Sequence, residues 1–273
     1  MVSSFNTNVL ERSNVTISGA GPQAIVFLHG LGADQSQWRL IAPCYEDRYQ
    51  VVLFDLIGAG KSDSRAYSPH TTHSTLQGHA DDLLDVLRSL ALYDIVFVGH
   101  SIAAMIGVLA AIREPERFAK LVMISPSPRF LNDNGYAGGF EQSDINELLA
   151  AMESDYNGWS NAMAPVLIGP GNRPELVLEM SNSFVHTNPE IAQHFARVTF
   201  LSDNRELLPF LLTPSLIIQS AHDVVAPLSV GLYLQQQLVD SELVVVETTG
   251  HCPHLTASEQ TVSTIDHFLQ RGW

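Results

Sequence analysis

Cysteine is scarce in this 273-residue chain: Cys44 and Cys252 are its two, far apart and in no metal-ligand spacing. That excludes a disulfide framework and a cysteine-based zinc site, and makes a reducing interior the simpler compartment. Basic residues are also few, 14 Lys and Arg against 29 Asp and Glu, for a formal charge of −15. Surfaces that bind nucleic acid or anionic membrane need clustered cations, so neither partner is expected. No apolar run approaches the ~18–20 residues of a membrane span. The opening residues M-V-S-S-F-N-T-N carry neither a charged segment nor an apolar one. No secretory signal and a cytoplasmic location are therefore expected, and the formal glycosylation sequon at Asn14 means little. No metal-ligand cluster is legible, and neither a metal nor another cofactor is expected.

What is present is alternation. Strands are expected at Val15–Ser18, Ala24–Leu28, Gln50–Phe54, Ile95–Gly99, Lys120–Ile124, Ser215–Ser220 and Glu242–Glu247. The central ones are short, β-branched and apolar throughout, as in parallel strands covered on both faces. Helical periodicity fills the gaps at Ser74–Ala91, Ile102–Arg113, Leu228–Leu238 and Ala257–Gln270. The fold class is α/β, a doubly wound, mostly parallel sheet with right-handed crossovers. From Pro126 to Pro214 the alternation stops. Helical segments at Ser143–Asp155, Gly158–Ile168, Pro174–His186 and Pro189–Leu201 are separated by Gly169-Pro170-Gly171 and Asn188-Pro189. Such an insertion reads as a four-helix lid (residues 126–214) between two parts of a core, 1–125 and 215–273. Its Phe130, Phe140, Trp159, Met163, Phe184 and Phe200 are candidate pocket residues.

Residues Val96–Ala103 read V-F-V-G-H-S-I-A, an apolar strand running into a serine with Gly99 two positions before it and Ala103 two after. The spelling resembles the nucleophile elbow G-x-S-x-G with its last glycine exchanged for alanine. The chain turns sharply at the serine, and the flanking residues must be small because strand and helix nearly touch. A serine hydroxyl needs a base, and the base an orienting acid. In this fold the order is Ser, acid, His. His251 leaves the last strand through T-T-G and is favoured over His254; His29, His100 and His222 read as structural neighbours of the motifs. Asp223 stands beyond the strand that ends in Ser220, while the preceding strand leads into I-S-P-S-P and offers no carboxylate. Oxyanion donors are expected from the backbone N–H of Ile102 and of Leu31, the latter in H-G-L-G, where Gly30 and Gly32 let the backbone approach. A second glycine loop, D-L-I-G-A-G-K-S-D from Asp55, matches neither phosphate-binding spacing and reads as a supporting turn. Cys252 directly follows His251 and is not expected to be a nucleophile, because a group placed beside its base in sequence usually points elsewhere in space.

Taken together, H-G-L-G-A-D-Q-S-Q-W, F-V-G-H-S-I-A-A-M-I-G, S-P-S-P-R-F-L-N-D, G-G-F-E-Q and G-H-C-P-H-L resemble the RsbQ-like α/β hydrolases. That branch comprises bacterial regulators of a general stress sigma factor and the plant karrikin and strigolactone receptor hydrolases. The resemblance runs from about residue 10 to 270. It implies a Ser101–Asp223–His251 triad, oxyanion donors at Leu31 and Ile102, and a lid over a small apolar pocket. Leu31 departs from the phenylalanine frequent there. It further implies a small apolar ester or lactone, butenolide-like, as ligand, and a phosphatase-type protein partner contacted through the lid. Three functions are compatible: a serine esterase or lactonase in stress or small-molecule signalling, a ligand-binding regulator with little turnover, and a metabolic C–C hydrolase or cofactor-free haloperoxidase. Dehalogenase and epoxide hydrolase chemistry would need a carboxylate in place of Ser101.

Overall fold

The structure, a computed structural model, describes residues 9–185 and 187–271. The opening octapeptide and His186, the expected end of the third lid helix, lie outside them, as do residues 272 and 273 at the expected core's end. Seven strands form one sheet: β1 Thr16–Ser18, β2 Ala24–Leu28, β3 Gln50–Phe54, β4 Ile95–His100, β5 Phe118–Ile124, β6 Ser215–His222 and β7 Ser241–Thr249. Their order is β1-β3-β2-β4-β5-β6-β7. Only β1 is antiparallel to its neighbour.

Alternation along the strands fills two cores. In β2, Ala24, Val26 and Leu28 face one side, and Ile25 and Phe27 the other. In β4, Ile95 and Phe97 share the first core, and Val96 and Val98 the second. All five residues of β2 and all six of β4 are buried, because helices cover both faces. Each such Val, Leu, Ile or Phe contributes about 1.5–3 kcal/mol on burial.

The helices are α1 Val9–Arg12, α2 Leu76–Ser89, α3 Ile102–Arg113, α4 Gln142–Ser154, α5 Tyr156–Ile168, α6 Pro174–Val185, α7 Pro189–Leu201, α8 Leu228–Gln237, α9 Pro253–Thr256 and α10 Ser258–Gln270. Between β5 and β6 the described residues form no strand beyond isolated bridges of Leu131 with Phe140 and Asp133 with Tyr136. Helices α4–α7 occupy that interval. The expected helix Ala257–Gln270 is preceded by a separate short turn, α9, which carries His254. Several strands run past their expected ends, β4 by His100 and β6 as far as His222, because ladder pairing continues through polar residues.

Topology places the site. The chain adds β3 and β1 on one side of β2, then crosses over and adds β4 to β7 on the other. Where the winding reverses, the loops after adjacent parallel strands diverge and leave a crevice at their carboxyl ends. Here that crevice lies between β2 and β4, where Leu28 pairs with Gly99. The loop after β2 carries Leu31, and the turn after β4 carries Ser101.

Candidate active site

Ser101 stands between β4 and α3 at φ 56° and ψ −125°, a left-handed conformation that is strained for a residue with a side chain. Its N–H is held by the carbonyl of Ile124 on β5 at 2.8 Å. The strand–helix contact explains the flanking residues. A Cβ at Gly99 would lie 2.8 Å from the backbone of Ala103 and Ala104. Ala103 itself is fully buried at this contact.

The structure brings Ser101, His251 and Asp223 together. His251 Nε2 lies 2.8 Å from Ser101 Oγ, and His251 Nδ1 lies 2.7 Å from Asp223 Oδ2. A carboxylate can only accept, so the proton sits on Nδ1 and the Nε2 lone pair faces the serine. The other carboxylate oxygen, Oδ1, accepts from the N–H groups of Val225 and Ala226 at 2.8 and 3.1 Å. Burial pushes the Asp223 pKa up, but the neighbouring His251 and these hydrogen bonds outweigh it and hold the carboxyl below its ordinary range.

The competing histidines are engaged otherwise. His254 is fully buried, lacks a hydrogen-bond partner on either ring nitrogen, and packs 4.9 Å from Trp38 and 4.5 Å from His100. His100 donates from Nε2 to the His251 carbonyl at 2.9 Å, and burial depresses its pKa to about 3. His29 accepts the Leu56 N–H on Nε2 at 3.0 Å and donates from Nδ1 to Gly30 at 2.9 Å, tying the loop after β2 to the one after β3. His222 is exposed at the end of β6. In the glycine loop, Asp55 itself accepts from Lys61 N–H, Gln35 N–H and the Asn14 side chain, so the turn supports the core and the sequon asparagine is already bonded.

Cys252 is buried and its thiol pKa is pushed up by burial, which keeps it protonated and a poor nucleophile. Among the described residues, two groups of potential metal ligands converge in space although no spacing announces them: His100, Cys252 and His254, and His73, His79 and Asp82. In the second, His73 Nδ1 accepts the Ser68 N–H at 2.9 Å, so Nε2 carries the proton that it donates to Asp82 at 2.8 Å and has no lone pair to offer. His79 is buried there with both nitrogens unpartnered, and desolvation holds its pKa well below the ordinary value.

Above Ser101 lies a cavity bounded by the loop after β2 and by helices α4–α7. All six expected aromatic and sulfur residues, Phe130, Phe140, Trp159, Met163, Phe184 and Phe200, line it together with Leu31, Ser101 and His251. The cavity is small, about 50 Å³. Gly32, at φ 74°, leaves space for Phe184, whose ring a Cβ would meet at 1.8 Å. Ile102 is the first residue of α3, so its N–H has no carbonyl one turn back in the helix and is free to serve a ligand. Sequence reasoning missed Gln37, Leu148, Leu167, Met180, Thr199 and Val225, which also line the cavity. Leu148, Leu167 and Thr199 lie on helical stripes that could have named them; Gln37, in a 3₁₀ turn, carries no such signal.

Helix α5 and the loop after it are tied to the segment that carries His251. The His251 N–H donates to the Leu167 carbonyl on α5 at 2.6 Å. Asn172 Nδ2 lies 2.7 Å from the Ile168 carbonyl and 2.9 Å from Thr249 Oγ1, and the latter donates to Pro170 at 2.7 Å.

Residues 23–258 match the family model described as alpha/beta hydrolase fold. The chain is 40% identical over 265 residues to strigolactone esterase D14 of Arabidopsis thaliana, with 97% of this chain and 98% of that one covered. It is 41% identical over 258 residues to karrikin insensitive 2 receptor CA of Petunia hybrida, with 94% and 95% covered. Among solved structures, a hydrolase from Oleispira antarctica superposes with a TM-score of 0.94 at 38% identity, covering 97% of both chains.

Proposed function

The chain belongs to the alpha/beta hydrolase fold family, and from that premise we propose that it is a serine hydrolase cleaving small, largely apolar esters or lactones through Ser101, His251 and Asp223. The observation that carries this reading is the continuous chain of contacts from Asp223 Oδ2 through both nitrogens of His251 to Ser101 Oγ, at 2.7 and 2.8 Å. In the first step His251 Nε2 takes the Ser101 proton as Oγ attacks the substrate carbonyl. The N–H groups of Leu31 and Ile102 receive the developing oxyanion. His251 then returns the proton to the leaving oxygen, leaving an acyl-serine, and repeats the cycle with water. Asp223 stays ionised and holds the imidazole in the reactive tautomer.

The small carbon-lined cavity supports compact substrates, and butenolides fit that description. Helices α4–α7 act as a lid over it, inserted between two parts of the core. A sensing role beside turnover is favoured by one specific contact, the bond from His251 to Leu167: a lid tied to the catalytic base can report whether the serine is occupied. Relatives named as an esterase and as a receptor agree with both uses. On this reading the lid is the surface that a signalling partner, of phosphatase type in a stress pathway, would contact, and the exposed free Cys44 fits a reducing cytoplasm.

Steady-state hydrolysis of short-chain 4-nitrophenyl esters, small lactones and long-chain acyl esters tests the reading. Short esters and lactones should react, long chains should not, and Ser101→Ala should lower turnover at least ~10³-fold. Efficient cleavage of long chains, or activity surviving Ser101→Ala, would overturn it.

A further inference from the structure

Two polar side chains in the cavity wall have no partner. Gln37 is buried in the 3₁₀ segment Gln35–Leu40, and neither its Oε1 nor its Nε2 makes a hydrogen bond within the protein. Thr199, 2% exposed on α7, likewise has an unpartnered Oγ1. Both line the same cavity as Ser101 and His251, in a wall otherwise made mostly of aromatic and aliphatic carbon. A buried group that has given up water and found no protein partner is destabilising, and native proteins rarely keep one without a use. The asymmetry that makes such groups costly when empty makes them selective when filled.

We propose that Gln37 and Thr199 are specificity-determining residues, and that the substrate is an ester or lactone carrying at least one hydrogen-bonding oxygen beyond the two of the ester group that is attacked. This rests on the hydrolase reading above and narrows it from apolar compounds to compact oxygenated ones. The chemistry of the two side chains defines what they accept. Thr199 Oγ can donate to, or accept from, an ether, hydroxyl or second carbonyl oxygen. The Gln37 amide offers a donor and an acceptor side by side. Their positions differ. Gln37, with Ala33 and Met180, also borders a surface groove lined by Asp34, Arg39 and Glu179, whereas Thr199 borders only the cavity among these two. Gln37 therefore meets the outward end of a bound substrate, and Thr199 a part enclosed by the lid.

The test is an oxygen scan within esters of one length. 4-Nitrophenyl pentanoate, ethoxyacetate and 3-methoxypropanoate have the same number of heavy atoms and differ in the presence and position of one ether oxygen. kcat/KM is measured for each with the wild type, Gln37→Met and Thr199→Val, substitutions that keep side-chain shape and remove the hydrogen-bonding group. Comparing each variant with the wild type on the same ester cancels the intrinsic reactivity of the ester. With one of the variants, kcat/KM for at least one ether ester should fall about 3- to 10-fold relative to that for pentanoate. Circular dichroism and thermal melting check that each variant is folded. Equal changes on all three esters, or no change on any, would overturn the proposal while leaving the hydrolase reading intact. Failure of the wild type to cleave any of the three would overturn both.

Discussion

The N–H of His251 donates to the carbonyl of Leu167 at 2.6 Å, so the histidine beside Ser101 is bonded through its backbone to the last turn of α5. The contact is close-fitted on both sides. A Cβ at Gly250, φ 89°, would lie 2.2 Å from the Ile168 carbonyl oxygen, and one at Gly169, φ 82°, would lie 2.5 Å from the Gly250 nitrogen. Two glycines in left-handed conformations let the loops interlock.

Gly250→Ala should therefore both destabilise the protein and reduce turnover, since neither backbone segment can yield without moving His251. Asn172→Ala removes a bridge across the same junction and no group near the serine. It should lower kcat about 3- to 10-fold with KM little changed and melting temperature within a few degrees. A fall in KM-dependent binding alone, with kcat preserved, would show that the junction does not position the base.

At the elbow, Gly99→Ala should cost about 1–3 kcal/mol by overpacking, because the added methyl meets backbone at 2.8 Å rather than a movable side chain. Urea denaturation reads this directly. Ala103→Gly is expected to be much milder, since it opens a contact instead of crowding one.

Acid should destabilise the fold over a definite window. His79, His100 and His254 are buried and held below the ordinary imidazole value, chiefly by desolvation, His100 at about 3. In the unfolded chain such rings protonate near pH ~6.5. Between these values the unfolded state binds more protons, so stability is fully present above pH ~7 and falls as pH drops through ~6.5. Asp223, whose folded pKa is also lowered, adds a loss in the same direction below pH ~4. Thermal melts across pH should follow this course, and His79→Phe should make the fall shallower. An unchanged slope would mean that the ring at position 79 is not neutral in the fold.

Much of this was legible in the chain because the signals are local. A strand of apolar residues ending at Gly99-His100-Ser101, and a helix starting at Ile102, are neighbours in sequence, so their periods and the elbow's spelling sit side by side. The position of His251 was legible for the same reason, as the first loop residue beyond T-T-G. Contacts between distant segments leave no such mark. Nothing around Leu167 or Asn172 announces a bond to residues about 80 positions later. The bare nitrogens of His254, and the inward aim of Gln37 and Thr199, depend on packing that only the assembled fold defines. Strand ends were misjudged at His100 and His222 because a polar residue looks like a loop until its ladder partner is known.

The central claim is that Ser101 is a nucleophile activated by His251, and covalent labelling tests it most directly. Intact-protein mass spectrometry is followed over time after addition of a small alkyl phosphonofluoridate to the wild type, Ser101→Ala, His251→Ala and His254→Ala. The account predicts one adduct per chain on Ser101, no adduct in Ser101→Ala, labelling slowed at least ~10³-fold in His251→Ala, and labelling near the wild-type rate in His254→Ala. An adduct that survives Ser101→Ala, or one that depends on His254 and not on His251, would contradict it.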